Sequence, residues 1–100
     1  MKQYRVKLSD IAKQERRNTV DYITHVIKMS DTAKSFKSGL KAKLNELSQS
    51  AGWAQVDIDL SRIMGVEVRR ARYKKMMILY TIEGDVAYVL HIIPQSMALF

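Results

Sequence analysis

The chain has 100 residues, 47% of them hydrophobic, with a formal net charge of +7 and a pI near 9.8. That length suits one domain around a single core, and the charge selects anionic partners: nucleic acid, an acidic protein or a membrane surface. Without cysteine there is no disulfide framework and no thiolate metal site; lacking also a signal-peptide core and the ~20 apolar residues of a bilayer span, the sequence reads as a soluble cytoplasmic domain.

Residues 3–9 alternate, with Tyr4, Val6 and Leu8 on one side and Arg5 and Lys7 on the other, which predicts a half-buried strand. Ser9 or Asp10 then supplies a helix cap. Ala12, Thr19, Val20, Ile23, Val26 and Ile27 fall on one face of a first helix over residues 10–29, interrupted by Arg16. Ser30-Asp31-Thr32 signals a second cap. Beyond it Ala33, Phe36, Leu40, Leu44 and Leu47 repeat at helical spacing. Gly39 inside this helix suggests a close helix–helix approach, and Gly52 a left-handed terminus. Two helices with a short connection form an antiparallel hairpin.

The period then changes. Residues 56–60 fit a short strand, which puts Asp57 and Asp59 on one face, and Gly65 precedes a strand at 66–71. Residues 76–82 are apolar on both faces, the mark of a central strand covered on both sides. Glu83-Gly84-Asp85 makes a tight turn into a partner strand at 86–93, which Pro94 ends. The result is one domain over residues 1–100, of α+β class and order β-α-α-β-β-β, with a helical hairpin on a mostly antiparallel sheet.

Five cations occupy the seven positions 69–75, directly before the apolar strand. Strand alternation places Arg70, Arg72 and Lys74 on one face, and Arg69, Tyr73 and Lys75 on the other. Like charges adjacent on a sheet repel, so an anion that guanidinium groups grip in two-pronged fashion accounts for them better than solvation does. Tyr73 is placed to stack on a base. His25 and His91 read as hydrogen-bonded packing residues, and Met76, Met77 and Met97 as fillers of the core or of a partner interface. No glycine-rich phosphate loop or metal-ligand spacing occurs, so neither a cofactor nor a metal is expected.

Several segments, in order, resemble the RelE/ParE family of bacterial type II toxins, and ParE more than RelE. They are Tyr4-Arg5-Val6-Lys7-Leu8-Ser9, Asp21-Tyr22-Ile23, the Ala33 to Leu47 repeat, Gly65-Val66-Glu67-Val68-Arg69-Arg70, the stretch from Met77 to Val86, and Val89-Leu90-His91-Ile92. The resemblance implies a small basic toxin in a hetero-oligomer with a cognate antitoxin, whose disordered C-terminal segment folds on contact. It also implies one of two activities: binding a protein target such as DNA gyrase, or ribosome-dependent cleavage of messenger RNA. Arg70 and Arg72 match cationic positions of the cutting branch. Met77 stands where that branch carries an arginine, and Met76 where it carries an aromatic. The tail 94–100 offers neither the arginine nor the tyrosine or histidine that cutting members supply there.

A non-enzymatic toxin acting on a protein target is therefore the leading expectation. The alternative is a RelE-type endoribonuclease built on Arg70, Arg72, Lys74 and His91, and a third reading is a basic nucleic-acid-binding domain. The contact candidates are Arg69, Arg70, Arg72, Tyr73, Lys74, Lys75 and His91, and no membrane partner is expected.

Overall fold

Strand β1, Arg5–Leu8, turns Val6 and Leu8 toward the helices and leaves Arg5 and Lys7 exposed. Ser9 stops it and caps α1, Asp10–Asp21: its Oγ accepts the Ala12 N–H at 2.9 Å and donates to the Leu90 carbonyl at 2.9 Å. The computed structural model describes residues 3–97. In it the first helix does not run unbroken to residue 29. It passes at Tyr22–Val26 into a π-helical turn, whose wider winding rotates the stripe off the core. Val26, Ile27 and Met29 are consequently exposed, and Lys28, at φ 62°, reverses the chain. Helix α2, Ser30–Ser50, starts at the expected place, but none of the three polar side chains there makes a cap bond. It buries Ala33, Phe36, Leu40, Leu44 and Leu47.

The other strands are β2 (Val56–Asp57), β3 (Val68–Tyr73), β4 (Met76–Glu83) and β5 (Val86–Pro94), with helix α3 (Ile58–Met64) between β2 and β3. The sheet order is β1-β5-β4-β3-β2, with β1 parallel to β5 and every other pair antiparallel. The expected α+β architecture is present, with α3 added to it. β4 is central, and its residues 76–81 are all buried. The hairpin of α1 and α2 covers one face, packing Phe36, Leu40 and Leu47 on Ile78, Tyr80 and Val89. On the other face Leu60 and Met64 of α3 pack on Val68, Met77 and Leu79. Met76 thus sits in the first core and Met77 in the second. The side chain of Met97 and residues 98–100 of the tail lie outside the described residues.

Several local expectations are corrected. Residues 56–60 are not one strand: Asp57 Oδ1 accepts the Leu60 N–H at 2.9 Å and starts α3, so Asp57 and Asp59 share no strand face. Strand β3 starts at Val68 and reaches Tyr73, two residues beyond the expected end. Pro94 still pairs with Met76, so the ladder includes it. Gly52 lies in a 3-10 turn, Ala51–Trp53, without a left-handed φ. Gly39 admits a strand side chain rather than a helix: a Cβ there would overlap the hydroxyl end of Tyr73.

Candidate functional site

The cations of residues 69–75 do not form one surface. Arg70 and Arg72 lie on the α3 face of β3, whereas Arg69 is on the hairpin side and donates to the Gly52 carbonyl at 3.0 Å. Lys74 is not a strand residue. With Lys75 it makes the two-residue turn between β3 and β4, at φ 53°, so it cannot extend the row begun by Arg70 and Arg72. Arg72 Nε donates to the Lys74 carbonyl at 3.0 Å and braces that turn.

Arg70 is answered by an internal acid. Its Nε lies 3.0 Å from Asp57 Oδ2, and the two side chains are 38% and 15% exposed. Asp57 therefore holds the N-terminus of α3 with one oxygen and Arg70 with the other. Tyr73 is not a free stacking platform. It is half-buried, its hydroxyl donates to the Phe36 carbonyl at 3.3 Å, and its ring meets the Phe36 ring at 5.6 Å. The Lys74 ammonium lies 5.6 Å from the centre of the same ring.

His91 is half-buried, with Nδ1 3.2 Å from Glu15 Oε2, and Glu15 Oε1 accepts the Ile92 N–H at 3.0 Å. Glu15 thereby covers the β5 backbone past the end of β1. This ties His91 to α1, as a packing residue, and away from the cations of β3. His25, by contrast, is exposed in the π-helical turn. The buried Tyr80 hydroxyl donates to the Ala51 carbonyl at 2.7 Å. Burial pushes its pKa up, nearby Tyr4 adds to the rise, and Arg69 works against it.

Arg72 and Lys75 do meet. They line an open cleft of about 530 Å³ with Met76, Pro94, Gln95 and Ser96, where the β3–β4 turn approaches the end of β5. The Gln95 N–H donates to the Lys75 carbonyl at 2.7 Å and closes its floor. Of the predicted site residues, then, the fold unites Arg72 and Lys75, keeps Arg70 beside them in an ion pair, and disperses Arg69, Tyr73 and His91. Among the described residues no cluster of three His, Asp or Glu is placed to hold a metal, and no helix is long and apolar enough to cross a membrane.

The family model for the ParE toxin of the type II toxin-antitoxin system parDE matches residues 6–99. The chain belongs to the ParE toxin family. A solved structure of the chromosomal ParDE TA system from P. aeruginosa shares its fold, at a TM-score of 0.74 and 16% identity, over 92% of this chain and 96% of that one. No curated protein matches the sequence. Within the ParE fold seen here, a second basic region lies far from the 69–75 cluster. Lys7, Lys13 and Arg16 line a cleft of about 360 Å³ with Val6, Leu8 and Tyr88, at the outer edge of β1. Its one sequence signal was Arg16 breaking the apolar face of α1.

Proposed function

We propose that this ParE-family chain is a toxin that acts by binding a protein target, DNA gyrase being the first to test, and that a cognate antitoxin neutralises it. The observation that carries the reading is the burial of Met76 and Met77, 6% and 7% exposed, at positions where RNA-cutting relatives are expected to carry an aromatic and an arginine. Cleavage by a 2′-hydroxyl needs groups that move protons and stabilise charge on the phosphate. A thioether packed into a core does neither. Tyr73 and His91 are engaged with Phe36 and Glu15, which supports the same conclusion. For the antitoxin, support comes from the P. aeruginosa structure, which is that of a ParDE TA system. The exposed Ile11, Tyr22, Val26 and Ile27 of this chain are the kind of surface that a segment folding on contact covers.

One observation favours a second reading, RelE-type cleavage of messenger RNA: Arg72 and Lys75 share a cleft open enough for a phosphate. Induction of the protein, with transcript ends mapped and the SOS response recorded, separates the two. Intact transcripts with SOS induction support the protein-target reading. Translation-dependent cuts overturn it in favour of the nuclease.

A further inference from the structure

We infer that the outward face of α3 is a symmetric docking surface for a second copy of this chain. A helix that covers a sheet ordinarily turns one apolar stripe inward and a polar face outward. α3 is apolar on both faces: Leu60 and Met64 pack on the sheet, while Ile58 and Ile63 are 66% and 61% exposed. Gly65, at φ 75°, then ends the helix, and Val66 directly after it is exposed. Trp53, in the turn before β2, is 71% exposed at the same end of the strand order. Large apolar side chains scattered singly over a surface need no explanation, but four gathered around one seven-residue helix mark a contact.

The charges select the occupant. Residues 58–67 carry Asp59, Arg62 and Glu67, one base against two acids, in a chain whose net charge is +7. Residues 10–50, which include the helical hairpin, carry eight bases against five acids. Two copies meeting through their hairpins would therefore repel, and two meeting through α3 would not. Ile58, Asp59, Arg62 and Ile63 are all exposed, and neither Asp59 nor Arg62 has an ion-pair partner among the described residues. In an antiparallel pair of helices, residues equidistant from the midpoint face one another. The two-fold axis that sets Asp59 against Arg62 of the second copy thus also sets Ile58 against its Ile63, and apolar and charged contacts form in one register. β2 has only two residues, too short an edge to template a strand, so the side chains of α3 carry the association. A nucleic acid would meet net negative charge here, and a purely basic partner would leave Arg62 opposed. The hairpin covers the opposite face of the sheet, so the pairing leaves it accessible and does not depend on the toxin reading.

Sedimentation equilibrium of the full chain at physiological salt is expected to show the mass rising from one copy to two between about 1 μM and about 1 mM, the range of a small interface. Asp59→Arg and Arg62→Asp should each weaken the dimer about ten-fold or more, because each sets like charges across the axis. Mixing the two variants should restore it, since only the mixed pair sets an acid against a base at both contacts. Both reversals oppose the α3 dipole. The mixture carries both of those costs, so its recovery reports pairing and not folding, and circular dichroism checks each variant. Ile58→Ser with Ile63→Ser should weaken the dimer as well. The inference is overturned if the chain stays monomeric throughout the range, if the reversals leave the dimer intact, or if the mixture regains nothing. Slowed hydrogen exchange of the α3 amides only in the presence of DNA gyrase would give this face to the target and overturn it too.

Discussion

Asp57 shows how one side chain can serve both local structure and the charge of a surface. One of its oxygens caps α3 and the other pairs with Arg70. Asp57→Ala removes both and is expected to cost about 1–2 kcal/mol, mostly from the lost cap. Asp57→Asn keeps a competent cap and gives up only the ion pair with a partly exposed arginine, so its cost stays below about 1 kcal/mol. Urea unfolding of the two variants checks this, and equal costs would show that the cap contributes nothing separable. Tyr80 yields a pH prediction. Its pKa is raised in the folded chain, by burial first, so the folded state holds this proton more tightly than the unfolded state. That contribution is complete below the ordinary tyrosine value of about 10 and falls as pH rises through the interval up to the raised folded value. Alkaline titration of stability should show the decline beginning near that ordinary value. Tyr80→Phe should flatten it while lowering stability at neutral pH through the lost bond to the Ala51 carbonyl.

The contact between α2 and β3 turns on whether Gly39 and Tyr73 fit each other. Alanine at an exposed helix position gains about 1 kcal/mol over glycine, yet Gly39→Ala drives a methyl group into the Tyr73 ring, which Phe36 holds in place. The overpacking, at about 1–3 kcal/mol, outweighs the propensity, so the substitution should destabilise. In a Tyr73→Ala background it should stabilise instead, and a cycle of four unfolding curves detects that change of sign. The same contact explains what could be read from the residues. Period and composition sufficed for β4, because an apolar run bounded by charge and Glu83-Gly84-Asp85 fits only a covered strand, and for α2, because five apolar positions fix one helical stripe. Val56-Asp57-Ile58-Asp59-Leu60 misled because five alternating residues suit a strand as well as the first turn of a capped helix. The structure leaves Ile58 66% exposed and makes Asp57 a cap. What Gly39 accommodates is a long-range fact, set by a strand more than 30 positions away, and helical spacing holds no trace of it.

Two clefts of the molecule gather cations, Arg72 with Lys75 in one and Lys7, Lys13 and Arg16 in the other, and the sequence pointed to the first. Clustering at 69–75 is visible in one dimension, but which cations converge depends on where β3 ends and on a lysine pair forming its turn without the usual glycine. Lys7, Lys13 and Arg16 are spread over ten positions and meet only when β1 folds against α1. In the sheet order β1 and β3 are separated by three strand spacings, about 14 Å. That exceeds the ~8 Å screening length at physiological salt, so charges at one surface are felt weakly at the other. The two can therefore be changed independently. Arg70 is a poor choice for reversal, since a carboxylate there would face Asp57 and put stability at risk. Arg72→Glu with Lys75→Glu alters the cleft between the β3–β4 turn and the end of β5 and gives up the exposed Arg72 bond to the Lys74 carbonyl. This double substitution should remove most growth inhibition in an induction assay and keep the native circular dichroism spectrum. Undiminished toxicity from the folded variant would show that the Arg72–Lys75 cleft takes no part in gripping the target.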